Sequence, residues 1–197
     1  MKYLSRSIYV LGFLIVFGAC STSTKEEAAA TDDMTTELAE EMEVPAAPMA
    51  MASMSPASGS NVTGTITFTQ TGDNTVQMDI EINHLVPGSH AIHLHEKGDC
   101  SADDASSAGG HWNPSGVDHG NRMGDGMHHA GDIINLEAGA DSTATNSLEI
   151  TGWTIGGDSA TNILNHAVII HAGADDFTSQ PSGAAGGRVS CGVIREQ

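Results

Sequence analysis

The stretch Thr75-Val76-Gln77-Met78-Asp79-Ile80-Glu81-Ile82-Asn83 decides the fold. Val76, Met78, Ile80 and Ile82 alternate with polar residues without a break, and a period of two means a strand with one buried face. Upstream, Val62, Ile66 and Phe68 hold even positions among Thr and Gly. Thr71-Gly72-Asp73-Asn74 between the two runs is turn chemistry, so they are expected to form a hairpin. Met49 and Met51 predict a short first strand, and later strands are expected at 88–96, 132–137, 147–154, 166–171 and 188–194. No amphipathic helical period follows residue 47. Residues 47–197 are therefore expected to form one all-β domain, a sandwich or Greek-key barrel.

Ahead of that domain the character of the chain changes twice. Lys2 and Arg6 precede an apolar run from Ile8 to Phe17, followed by Gly18, Ala19 and Cys20. The run is short for a membrane span and reads as an export signal over 1–19. Its Phe-Gly-Ala-Cys ending resembles a bacterial lipoprotein box, in which Cys20 becomes the lipidated first residue of the mature chain. Residues 20–46 set Glu26, Glu27, Asp32, Asp33, Glu37, Glu40, Glu41 and Glu43 against Lys25 alone, with no aromatic residue. Such a segment buries too little apolar surface to fold and is expected to be a disordered tether, with a reach of about 30 Å.

The whole chain has 197 residues, with 7 Lys and Arg against 25 Asp and Glu, a formal charge of -18. Loss of residues 1–19 leaves five cations against 25 acids, or -20. A nucleic-acid partner is excluded on that balance, because phosphate neutralisation needs clustered Lys and Arg. The 10 histidines are distributed very unevenly: all lie between His84 and His171. Metal binding is the leading reason for such clustering. Three cysteines, an odd number, call for two separate explanations.

In an extended run Gly88-Ser89-His90-Ala91-Ile92-His93-Leu94-His95-Glu96, His93 and His95 share one face while Ile92 and Leu94 share the other. Two imidazoles can then bind one metal while the opposite side enters the core; His90 has the wrong parity to join them. A second cluster, His111, His119, His128, His129 and Asp132, falls around a Gly-rich stretch from Ala108 to Gly131. A loop of that length is expected to be ordered by something, and a metal would supply the order. The third element is Val168-Ile169-Ile170-His171, followed by Ala172-Gly173-Ala174-Asp175-Asp176. His84 and His128 are read as structural or solvated.

Five segments in this order resemble the copper/zinc superoxide dismutase family, particularly its bacterial exported branch. They are His-Ala-Ile-His-Leu-His-Glu-Lys-Gly-Asp-Cys (90–100), Gly-Gly-His-Trp-Asn-Pro (109–114), His-Ala-Gly-Asp (129–132), Ile-His-Ala-Gly-Ala-Asp-Asp (170–176) and Gly-Gly-Arg-Val-Ser-Cys-Gly-Val-Ile (186–194). The resemblance covers residues 47–197 and implies an eight-stranded Greek-key β-barrel, an immunoglobulin-like sandwich with long metal-binding and active-site loops. It implies copper on His93, His95, His111 and His171, and zinc on His111, His119, His129 and Asp132, with His111 bridging, one ion of each per subunit. Four imidazole nitrogens suit Cu(II), and three His with one carboxylate suit tetrahedral Zn(II). Asp175 would orient His93 and His119 from outside the metal sites. Arg188 would attract and orient the anion, Cys100 and Cys191 would pair in a disulfide, and Cys20 would remain for the lipid. His90 and His166 are expected as neighbours of the copper ligands, and Trp112 beneath the bridging loop.

The implied activity is an oxidoreductase that dismutates superoxide to oxygen and hydrogen peroxide, an antioxidant guarding the cell envelope. The expected location is the bacterial envelope, lipid-anchored to a membrane and facing the periplasm or cell surface, as a monomer or homodimer. One departure stands out: residues 172–187 contain no Lys or Arg, where many family members use lysines to guide the anion. From Asn61 onward, 17 acids face Lys97, Arg122, Arg188 and Arg195, a charge of -13. The competing readings are a non-catalytic copper or zinc carrier on the same scaffold and a β-sandwich interaction module.

Overall fold

The computed structural model describes residues 46–197. The expected export signal, Cys20 and the expected tether as far as residue 45 lie outside the described residues.

Nine strands follow one another: β1 (Met49–Pro56), β2 (Thr63–Gly72), β3 (Thr75–Asn83), β4 (Gly88–His95), β5 (Asp132–Ala138), β6 (Thr143–Thr151), β7 (Ala167–His171), β8 (Arg188–Val193) and β9 (Arg195–Glu196). A single 3-10 turn, Ser106–Ala108, is the helical content among the described residues. The strands pair in the order β5-β4-β7-β8-β1-β2-β3-β6, with β9 beside β1. β1 holds the two halves together, since Met49 to Met54 pair with β2 while Ser55 and Pro56 pair with β8. The two ends of the path, β5 and β6, are consecutive in the chain and joined by a tight turn in which the Gly139 N–H donates to the Thr143 carbonyl at 2.8 Å. The result is a nearly closed eight-stranded antiparallel barrel, the all-β architecture expected from the sequence.

The alternation in β3 maps directly onto burial: Val76, Met78, Ile80 and Ile82 are each at most 1% exposed. Its hairpin with β2 closes on Asp73 and Asn74, with Gly72 opposite Thr75. β1 forms where Met49 and Met51 predict a strand, and its inward face carries the smaller residues. Ala50, Ala52 and Met54 point into the core, and Met49 is 46% exposed. The reason is size: Ala50 faces Phe68 and Ala52 faces Ile66 across the ladder, where methyl groups leave room for the larger partners. β6 starts four residues earlier than the expected 147–154 and ends at Thr151. Its first half, Thr143-Ala144-Thr145-Asn146-Ser147, is polar apart from Ala144 and is recruited by pairing with β3. Gly152, at φ 94, ends it and turns Trp153 into the core. β9 and the 3-10 turn had no sequence signal.

Ile92 and Leu94 of β4 join this core, as do Val168 and Ile170 of β7. Their neighbours on the other face, His93, His95 and His171, are also buried, because the long 96–131 segment closes over them. The segment is stitched to β4: Leu94 N–H donates to the Gly131 carbonyl, Trp112 N–H to the Leu94 carbonyl, and Gly131 N–H to the Trp112 carbonyl, each at 2.8 Å. The backbones meet so closely that a Cβ on Gly131 would lie 2.3 Å from the Leu94 oxygen.

Candidate metal centre

The strand period of two brings His93 and His95 to the outer face of β4. His111 reaches the same face through an isolated bridge between its backbone and that of His95. β7 is hydrogen-bonded to β4 and ends on His171. One ring nitrogen from each of these four histidines lies within 4.8 Å of the others. A second group, His111, His119, His129 and Asp132, satisfies the same limit. The structure therefore gathers the eight expected ligand placements into two groups that share His111.

Each ring is steered by the nitrogen it does not offer. His93 Nε2 donates to Asp175 Oδ2 at 2.7 Å, His95 Nδ1 to the Gly109 carbonyl at 2.8 Å, and His171 Nδ1 to the Gly186 carbonyl at 3.3 Å. The nitrogens left over, His93 Nδ1, His95 Nε2, His111 Nε2 and His171 Nε2, are buried and have no partner among the protein atoms. Four orphaned lone-pair nitrogens aimed at one point are costly unless something accepts them. A metal ion answers that need, and an all-imidazole set suits copper.

In the second group Asp132 is aimed by its own far oxygen. Oδ2 accepts from the backbone N–H groups of Gly120 (3.1 Å) and His129 (2.8 Å), which turns Oδ1 toward the histidines. Oδ1 lies 2.9 Å from His111 Nδ1, 3.0 Å from His119 Nδ1 and 3.3 Å from His129 Nδ1. His111 Nδ1 and His129 Nδ1 are 3.3 Å apart. Zinc bonds near 2.0–2.1 Å in a tetrahedron give ligand–ligand edges of about 3.3 Å. The donor set and its spacing fit zinc.

Electrostatics point the same way. Burial pushes His95 down to about 2 and His171 down to about 3, and also lowers His93, so these rings stay neutral with free lone pairs. Burial alone would raise the Asp132 carboxyl. The His111 contact and the two backbone N–H donors outweigh it and hold Asp132 well below the usual carboxylate range. His119 is raised instead: burial opposes the charge, but Asp175 and Asp132 flank the ring and prevail.

Asp175 spans the two groups, its Oδ1 accepting from His119 Nε2 at 2.9 Å while Oδ2 serves His93. Gly183 backs this contact at φ 65, where a Cβ would lie 1.8 Å from Asp175 Oδ1. Asp175→Ala is expected to weaken metal binding at both groups roughly 10–100-fold, read by chelator competition. Unchanged affinity at either group would remove its bridging role.

Sequence reasoning missed the groups that clamp the backbone around this site. Asn135 holds Asp175 by a pair of bonds, accepting from its N–H at 2.8 Å and donating to its carbonyl at 2.9 Å. Gln180 does the same to His119, at 2.9 and 3.0 Å. An Asn within the apolar run Ile133-Ile134-Asn135-Leu136 was the available hint for the first.

Arg188 starts β8 opposite His171. Its guanidinium donates to the Ala105 and Gly109 carbonyls, both at 2.7 Å. It is the one Lys or Arg, and Asp118 the one carboxylate, among the described residues lining a cleft of about 600 Å³ over His95, His111 and His171. Cys100 and Cys191 form a disulfide. His166 contacts the His95 and Glu96 carbonyls at 3.1 Å and stacks on Trp112, ring centroids 4.6 Å apart. His90 Nδ1 lies 2.9 Å from the His171 carbonyl. His84 is exposed and His128 half-buried, both outside the two groups.

Residues 62–194 match the family model described as copper/zinc superoxide dismutase (SODC). Among solved structures, the chain is similar to a SOD-like protein from Bacillus subtilis, with 38% identity and a TM-score of 0.65, covering 73% of this chain and 96% of that one. It is also similar to a double mutant of a SOD-like protein from Bacillus subtilis, with 38% identity, a TM-score of 0.63, and coverage of 73% and 95%.

Proposed function

The chain belongs to the copper/zinc superoxide dismutase family, and on that premise we propose that it is a working dismutase, converting two superoxide anions and two protons to oxygen and hydrogen peroxide. The observation that carries the reading is the pair of ligand groups sharing His111, complete in every position and roofed by Arg188.

When bound, copper supplies the redox couple for the two half-reactions, and zinc fixes the bridging imidazole and tunes its basicity. The protein's own residues do the rest. His93, His95 and His171 arrive as neutral rings locked in orientation by Asp175, Gly109 and Gly186, so the copper group needs little reorganisation. His111 faces both groups, Nδ1 toward Asp132 and Nε2 toward the copper histidines, and Nε2 is the atom at which a proton can be held and passed to the reduced substrate. Arg188, anchored through two carbonyls, presents its charge to an anion entering the cleft. Gln180 and Pro181 on the rim add no charge.

Metal analysis combined with a superoxide-removal assay on the metal-loaded protein tests the proposal. Copper and zinc bound one each per chain with fast removal is expected; bound metal without removal would make the protein a carrier. The export signal, Cys20 and a disulfide that suits an oxidising compartment support a lipid-anchored place in the cell envelope. Labelling with a fatty-acid probe, lost in Cys20→Ser, tests that.

Ionic strength should act against the usual direction. An acidic domain repels superoxide at long range, and salt screens that repulsion beyond about 10 Å. Added salt should raise kcat/KM or leave it flat; a steep fall between 10 and 200 mM would show that local cations dominate.

A further inference from the structure

The third clamp is charged. Arg122, a half-buried residue of the 117–131 loop, turns its guanidinium inward and uses it on main-chain oxygens. Nε donates to the Asp132 carbonyl at 2.5 Å, and Nη2 donates to the Ala130 carbonyl and, at 3.5 Å, to that of His129. Nη1 crosses to the Thr151 carbonyl at the end of β6, at 3.2 Å. The guanidinium lies over Trp153, 5.3 Å from the ring centroid, and Trp153 Nε1 donates to the same Ala130 carbonyl at 2.8 Å. The segment His129-Ala130-Gly131-Asp132 carries two of the four second-group ligands. Three of its four carbonyls are held by one side chain, and the fourth, that of Gly131, accepts from Leu94.

We propose that Arg122 is a positioning residue of the zinc site, setting zinc affinity by fixing the main chain that carries His129 and Asp132 before the metal arrives. Three observations converge on this. A planar fork with five donors suits several carbonyls at once in a way an ammonium does not. The Thr151 contact and the Trp153 ring tie the loop to the barrel wall instead of leaving it to be ordered by zinc alone. From Asn61 onward the chain has only four Lys and Arg, and this one spends its guanidinium on main-chain carbonyls and does not line the cleft over His95, His111 and His171. The inference rests on zinc occupying the second group.

The test uses the full chain with its disulfide intact, as wild type, Arg122→Lys and Arg122→Met. Zinc affinity is measured by chelator competition, the visible spectrum of cobalt(II) in the zinc site reports its geometry, and copper(II) affinity is measured separately. Expected are a loss of zinc affinity of roughly 10–100-fold in Arg122→Met, a smaller loss in Arg122→Lys, and weakened or shifted cobalt bands in both. Copper(II) affinity should change less than zinc affinity. Both variants binding zinc within twofold of wild type, with superimposable cobalt spectra, would overturn the proposal even if their thermal stability fell. Should Arg122→Met not fold, Arg122→Lys decides alone, because it keeps the charge and stem and removes only the fork. Wild type taking up neither zinc nor cobalt would sink the zinc assignment itself, a different failure from variants that bind as wild type does.

Discussion

Replacing His95 with Ala is expected to abolish copper uptake and reduce superoxide removal to the uncatalysed rate while the barrel stays folded. The side chain supplies one of the four copper-group nitrogens that are buried without a hydrogen-bond partner, and truncation leaves three imidazoles around an open corner. The structural cost is small by comparison, about 1–3 kcal/mol. The His95 backbone still pairs with Ala167 in the β4–β7 ladder. The Gly109 carbonyl that loses the His95 ring keeps its bond to Arg188 Nη2. Circular dichroism and a melting curve establish folding, and copper stoichiometry and the dismutation rate establish function. His84→Ala is the matching control, since that ring is exposed and, among the described residues, hydrogen-bonds only to Thr63, at 3.5 Å. A His95→Ala protein that holds stoichiometric copper and removes superoxide at the wild-type rate would move the chemistry off the β4 face.

That prediction depends on a feature already legible in the sequence. A period of two in His93-Leu94-His95 puts both rings on one side and Leu94 in the core whatever the rest of the chain does, and the structure has this arrangement. The same rule made β3 unmistakable. In β1 it located the strand but not its faces: Met49 and Met51 are the larger side chains, yet Ala50 and Ala52 are the ones that fit against Phe68 and Ile66. It missed the start of β6, where polar residues are held by backbone pairing that leaves no mark on side-chain type. The candidate ligands stood out because metal chemistry restricts residue types, and their division into two groups came from the family resemblance. The clamps around them did not: Asn135, Gln180 and Arg122 all act on backbone atoms, which every residue possesses. Gln180 meets His119 across 61 positions of sequence, and neither residue type announces the other.

Breaking the Cys100–Cys191 disulfide should produce the largest loss of stability of any single change outside the core, with an effect on the site as well. The bond spans 91 positions. Closing a loop of that length removes chain entropy worth about 4.5 kcal/mol from the unfolded state, before any strain or residual structure is counted. For a domain of this size, about 4 kcal/mol corresponds to a fall in Tm of about 8–16 °C. Cys100→Ser is the cleaner variant: Cys100 is half-buried, whereas Cys191 packs in a small cluster with Ala57, Ala105, Ala108, Ala167 and Ile169, where a hydroxyl would add its own penalty. The cross-link ties the start of the 96–131 segment to β8, three residues from Arg188. Both carbonyls that hold the Arg188 guanidinium, those of Ala105 and Gly109, belong to that segment. Loosening it should therefore also weaken the cleft's grip on an anion such as azide, at temperatures where the variant is still folded. Calorimetry gives the first effect and azide titration of the copper-loaded protein the second. A Tm within 3 °C of wild type would mean that the unfolded chain is already restrained without the bond. An unchanged azide affinity would mean that the carbonyl anchors hold Arg188 without help from the disulfide.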